Sequence, residues 1–167
     1  VTVSENVFQA LIDESRKLGM FAHGFTYSGH PVASAVAVKT LEIYERIDII
    51  GHVQKVAPRF NQRLTALADH PLVGEARGIG LIGAVELVRD KTNRQNFAPT
   101  DGVGVKAMQI AEEEGLICRA VAGDNVALCP PLIIEEAQID EMFDALGRTL
   151  DRTAHWVESE LGHNLKD

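Results

Sequence analysis

The sequence predicts an α/β or α+β fold, a small and mainly antiparallel sheet covered by helices. Three observations lead there: long stretches with apolar residues at helical spacing, short stretches with the period of strands, and glycines or prolines at the changes between them. In chain order, Val1, Thr2 and Val3 read as the end of a strand, so the chain is expected to begin in mid-element, as a fragment would. Ser4 is placed to cap a helix carrying Val7, Phe8, Leu11 and Ile12, which Gly19 stops. Pro31 suits a first helical turn, and the small and large apolar residues of 32–47, among them Ala33, Val36, Leu41 and Ile43, predict a mostly buried helix. A second, amphipathic helix is predicted over 49–68 through Ile50, Val53, Val56, Phe60 and Leu64, with Pro58 as a kink or break.

The period then changes. Val73, Ala76, Ile79, Leu81, Val85 and Leu87 read as strands within 72–88 joined by a glycine-rich bend, followed by a surface loop over 90–101. Residues 103–114 are helical and end at Gly115. Two further strands, 116–121 and 126–128, flank Ala122, Gly123, Asp124 and Asn125 and predict a hairpin. Beyond Pro130 and Pro131, the positions of Ile139, Met142, Phe143, Leu146, Leu150 and Val157 make 135–160 the longest helix. The chain divides on this reading into 1–31, connecting helices over 32–68, and a small C-terminal α/β domain over 69–167.

Composition narrows the function. The 167 residues, 46% of them hydrophobic, fill about one domain. A net charge of −8, with the 16 lysines and arginines scattered, argues against nucleic acid or an anionic membrane as partner. No apolar run reaches the roughly 18 residues of a membrane span. Cys118 and Cys129 lack metal or disulfide spacing and are expected to be free, buried thiols in a reducing cytoplasm.

The run His23, Gly24, Phe25, Thr26, Tyr27, Ser28, Gly29, His30, Pro31 is a polar loop opening onto a helix. Two hydroxyls and flexible backbone ahead of unpaired helical N–H groups suit an anion, a phosphate in particular. His23 and His30 lack a convincing third metal ligand. Ser28 with His30 has none of the setting of a nucleophile elbow. Gly78, Gly80 and Gly83 spell GxGxxG, but a strand rather than a helix follows, so they are read as permitting a bend and close strand packing. Arg119 lies in an otherwise apolar strand. It is either an edge arginine reaching solvent or a nearby carboxylate, or a clamp making two parallel hydrogen bonds to a carboxylate ligand.

The run HGFTYSGHPVASAVAVKTLEIYE over 23–45 resembles the corresponding segment of the class III pyridoxal-phosphate-dependent aminotransferases, the omega-aminotransferase group. Three further runs agree in order: RGIGL at 77–81 with Glu86 and Leu87, GLICR at 115–119, and PPLII at 130–134. The resemblance covers nearly the whole chain, and the first run is its most specific part.

The resemblance implies fold type I, with residues 1–31 as the tail of the cofactor-binding large domain. It implies a homodimer in which Thr26 donates to the phosphate of pyridoxal 5'-phosphate held by the neighbouring subunit, with Tyr27 beside it as a further cofactor-binding residue and with packing near that interface as the chief task of Tyr27 and Phe25. It makes Arg119 the mobile arginine that binds the carboxylate of pyruvate or another 2-oxo acid and swings aside for uncharged amines. The complete protein is then expected to move an amino group from an amine or omega-amino acid to that acceptor. The Schiff-base lysine of the family is expected upstream of Val1. Lys17, Lys39, Lys55, Lys91, Lys106 and Lys166 do not match its motif, so the 167 residues are expected to be inactive alone. Related decarboxylases, aminomutases and racemases share the phosphate threonine. A non-catalytic interaction module is the alternative of a different class.

Overall fold

Gly78 and Gly83 sit opposite each other across a tight β-hairpin, and the space a side chain would need there is taken by a helix. A Cβ on Gly78 would come within 2.7 Å of Leu64 Cδ2, and one on Gly83 within 3.0 Å of Phe60 Cε1. Gly80, at φ 58°, makes the turn between them. The glycines of the GxGxxG spelling thus allow a bend and a close approach of helix to sheet.

The computed structural model describes residues 3–21, 23–93 and 95–165. The chain divides into two compact units, residues 1–43 and 44–167. The first carries α1 (Glu5–Leu18) and most of α2 (Pro31–Arg46). Ser4 occupies the N-cap of α1 without a side-chain bond, its carbonyl accepting from Phe8 N–H at 3.0 Å, and Gly19 ends the helix at φ 97°. Val1 and Thr2 lie outside the described residues, and Val3 precedes a helix without forming a strand. The mostly buried helix expected over 32–47 is not found: α2 has no buried residue, and Val32, Val36 and Leu41 are more than 60% exposed. Its apolar composition reports what a helix is able to bury, and no described residue of the first unit covers it.

The second unit holds α3 (Ile49–Ala66), a short 3-10 turn (Leu67–Asp69), β1 (Val73–Ile79), β2 (Ile82–Leu87), α4 (Val103–Glu113), β3 (Arg119–Val121), β4 (Asn125–Leu128) and α5 (Glu136–Glu160). The four strands are antiparallel in the order β1-β2-β4-β3. Of the kink or break expected at Pro58, the break is not found: α3 runs through it, because Val56, Phe60 and Leu64 are buried on either side and outweigh one lost ladder bond. The strand expected over 116–121 is confined to its last three residues, so Arg119 opens β3 instead of lying within it.

One face of the sheet meets the helices. Val73, Val85, Leu87, Val126 and Leu128 pack with Phe60, Leu64, Phe143 and Leu146 in a single core. Phe60 and Phe143 stack edge to face at 5.2 Å. The polar groups of α5 that enter this core are satisfied: the hydroxyls of Thr149 and Thr153 donate to the carbonyls of Ala145 and Thr149 at 2.8 and 2.7 Å. Ion pairs at the rim join the helices. Arg59 and Arg63 hold Asp140, binding α3 to α5, and Arg148 and Arg152 hold Glu114, binding α5 to α4. Hydrogen bonding from Arg59 keeps the Asp140 carboxyl below its ordinary range, and Arg148 does the same for Glu114.

His70 closes the corner between the 3-10 turn and α5. Its Nδ1 accepts from Leu72 N–H at 3.1 Å, so the proton of the neutral ring sits on Nε2, 3.4 Å from Asp151 Oδ1. Lys91 Nζ donates to the carbonyls of Ala68 and His70 at 2.7 and 3.2 Å. Burial lowers the affinity of the His70 ring for a second proton below its ordinary value of 6.5, against the pull of Asp151 and with help from Lys91. The unfolded chain then binds that proton more readily than the native one, so this contribution is present above pH 6.5 and is lost as pH falls through the lowered native value. Thermal unfolding is expected to show falling stability as pH drops below 6.5, with a flatter profile for His70→Asn, whose amide oxygen still accepts from Leu72. Identical profiles would rule this out.

Candidate functional site

The predicted site residues fall in both units. In the first, residues 26–29 form a tight turn ahead of α2. Ser28 closes it: its N–H donates to Phe25 O at 3.0 Å, and Phe25 N–H donates to Ser28 Oγ at 3.1 Å. His30 N–H donates to Tyr27 O at 3.2 Å, and Gly29 takes φ 74°. Of the two aliphatic hydroxyls in the loop, Ser28's oxygen is therefore engaged by the turn. Thr26 is exposed, and its hydroxyl has no hydrogen bond among the described residues. The packing expected of Phe25 and Tyr27 is not made within this unit, where they are 81% and 80% exposed. The Tyr27 ring lies against the His30 ring, edge to face at 6.5 Å. Among the described residues His23 and His30 gather no third metal ligand.

In the second unit Arg119 stands on the edge strand β3, exposed, its side chain with no ion pair or hydrogen bond among the described residues. Strand register shows what surrounds it. A bulge at Gly74 shifts the phase of β1 so that Glu75, Arg77 and Ile79 leave the core face. Arg77 then pairs with Ala84, Ala84 with Ala127, and Ala127 with Arg119. One row across the face turned away from the helices thus reads Arg, Ala, Ala, Arg. Three strand spacings put the two arginine Cα atoms about 14 Å apart. The next row reads Glu75, Glu86, Asn125, Val121.

The two arginines differ in their partners. Arg77 is held by Glu75 at 2.7 Å, by Glu86 at 3.5 Å and, through Nη2, by Asn125 Oδ1 at 2.7 Å. Its charge is compensated in place. Arg119 keeps its donors free, beside alanines too small to obstruct a ligand, an arrangement suited to a carboxylate. Periodicity could not reveal this row, because which strands are neighbours, and in what register, is not written in any one segment.

The lysines are dispersed. Lys17, Lys39, Lys55 and Lys106 lie on helices, the first two paired with Glu14 and Glu42, while Lys91 is engaged by carbonyls and Lys166 lies outside the described residues. The thiols are free as expected, but they are not both buried: Cys118 is half-buried and Cys129, just past β4, is exposed. Burial pushes the Cys118 thiol up. No helix among the described residues is long and apolar enough to cross a membrane.

The aminotransferase class-III family model matches residues 1–150. The chain is 44% identical to a probable gamma-aminobutyrate transaminase 3, mitochondrial, of Oryza sativa subsp. indica, over 92% of this chain and 30% of that protein. It is 48% identical to a putrescine–pyruvate aminotransferase of Pseudomonas aeruginosa, over 81% of this chain and 30% of that protein. Among solved structures, the omega transaminase of Pseudomonas jessenii in complex with PMP superposes with a TM-score of 0.80 at 40% identity, covering 95% of this chain and 35% of that one. A second, a transaminase with L-alanine, gives 0.80 at 44% identity, covering 93% and 36%. The chain therefore spans about a third of the length of the relatives it matches.

Proposed function

Because the chain belongs to the class-III aminotransferase family, we propose that it is the C-terminal part of a pyridoxal-phosphate-dependent transaminase. The complete protein moves an amino group from an amine or omega-amino acid to pyruvate or another 2-oxo acid. The observation that carries this reading is Arg119, an exposed guanidinium without a partner among the described residues, at the edge of an alanine-floored sheet face. The names of the relatives support the transaminase branch over decarboxylases, aminomutases and racemases, and the name of the Pseudomonas aeruginosa relative supports pyruvate as acceptor.

The residues present fit the phosphate end of the cofactor. An unengaged Thr26 hydroxyl stands a few residues ahead of the first turn of α2, where backbone donors and the positive end of the helix dipole both favour an anion. In this reading Thr26, with Tyr27 beside it, serves the phosphate of the neighbouring subunit of a homodimer. The bound cofactor supplies an electron sink for the amino-bearing carbon. Arg119 orients the 2-oxo acid by its carboxylate, and the lysine that moves the proton lies outside the 167 residues.

The test has three arms. The complete protein, loaded with pyridoxal phosphate, is expected to form alanine from pyruvate and an amine donor. Its Thr26→Val variant is expected to lose cofactor more readily on dialysis. The 167-residue chain is expected to form no alanine and to show no borohydride-stable adduct at a single lysine. Absence of alanine from the complete protein, or such an adduct in the short chain, would sink the reading.

A further inference from the structure

We propose that Arg77 and Asn125 form a positioning pair that sets Arg119 for the carboxylate of the acceptor, an inference that rests on the reading of Arg119 given above. Asn125 lies on the outward face of β4, where a polar residue would ordinarily meet water, yet it is 8% exposed. Its amide is engaged at both ends. Oδ1 accepts from Arg77 Nη2 at 2.7 Å, and Nδ2 donates to the carbonyls of Ala122 and Gly123 at 2.8 and 3.2 Å. The asparagine therefore ties the β1 arginine to the turn joining β3 to β4.

That turn needs holding. Gly123 takes φ 77° and Asp124, which has a side chain, φ 53°. Asp124 is pinned from two other directions, its Oδ1 accepting from Gly104 N–H at the start of α4 at 2.9 Å and its carbonyl from Leu87 N–H at 3.1 Å. Strand β3 is three residues long and pairs with β4 alone, so the turn sets its path. Arg119 begins that strand, directly opposite Ala127 and two residues of β4 from Asn125.

Glu75 and Glu86 make Arg77 a poor second site for the substrate, since they compensate its charge where it lies. What remains to Arg77 is the hydrogen bond to Asn125. Without it, Asn125 keeps its turn contacts but loses the anchor on β1, and the turn is held only by its own bonds, by Asp124 and by the pairing of β4 with β2, a looser support for the short strand β3. Because a displacement of about 1 Å at a binding group costs up to roughly a hundredfold, a small shift is enough to be read in kinetics.

The experiment uses the complete protein with pyruvate and an uncharged aldehyde as alternative acceptors. Arg77→Ala is expected to raise KM for pyruvate about tenfold while leaving KM for the aldehyde unchanged. Arg77→Lys, which keeps a charged donor group without the planar fork, should recover part of the loss. Asn125→Asp keeps the acceptor for Arg77 but sets a carboxylate against two carbonyls, so it is expected to raise KM for pyruvate in the same selective way. It provides the test if Arg77→Ala does not fold. Introduced into Arg119→Ala, Arg77→Ala should add no further pyruvate-selective loss. Equal losses with both acceptors, no loss, or a full additional loss in the Arg119→Ala background would each overturn the pair. If Arg119→Ala is selective and Arg77→Ala is not, the pair alone falls; if Arg119→Ala is itself unselective, the underlying reading falls and takes the pair with it.

Discussion

Replacing Arg119 with alanine in the complete protein is expected to lower kcat/KM for pyruvate by about a hundredfold while changing kcat/KM for an uncharged aldehyde less than about threefold. The magnitude follows from two charge-assisted hydrogen bonds lost from a guanidinium fork, together about 3 kcal/mol once exchange with water is counted. The selectivity follows from where the residue stands. Arg119 opens an edge strand, is exposed, and has no ion pair among the described residues, so its removal leaves no buried charge behind and disturbs no core contact. A structural arginine such as Arg63, which binds α3 to Asp140 of α5, would instead act on both acceptors through the fold. Steady-state rates with the two acceptors and one amine donor decide between them. Equal losses would remove the carboxylate role from Arg119.

The largest effect on stability is expected from Phe60→Ala, about 3–5 kcal/mol. Phe60 is fully buried, stacks on Phe143 at 5.2 Å and fills the space that Gly83 leaves open on β2. Neither the hairpin nor α5 can close the cavity without breaking the register between β1 and β2 or pulling Arg59 and Arg63 from Asp140. A loss of this size is a large part of the roughly 5–15 kcal/mol that holds an ordinary domain folded. Urea unfolding should show the midpoint falling with little change in slope. Leu41→Ala on α2, where the leucine is 62% exposed, should move the midpoint by less than about 0.5 kcal/mol in equivalent stability. A Phe60→Ala loss below about 1 kcal/mol would show that the core relaxes into the gap.

Much of the fold was legible because its signals are local. Gly19, Gly80 and Gly115 each take positive φ where the sequence placed a stop or a turn, and α5 runs where the apolar spacing of Ile139, Phe143, Leu146 and Leu150 put it. The start of α5 is secured by Glu135 and Gln138, a reciprocal cap within four residues. Errors arose where a local preference met a distant partner. Pro58 reads as a kink or break, and packing of α3 on the hairpin rules out the break; α2 reads as buried only while its covering surface is assumed.

By itself, the sequence determined the elements, their order, the glycine hairpin and the family, through runs such as HGFTYSGHP that keep their meaning without coordinates. It also singled out Thr26 and Arg119. Only the tertiary structure decided the neighbours. Arg77 and Asn125 are 48 positions apart, and His52 reaches Ile134 across 82. The strand order β1-β2-β4-β3 and its register place Arg119 in a row with Ala127, Ala84 and Arg77. The physical reason is that spacing along a chain states which face a residue occupies, whereas packing alone states what that face meets.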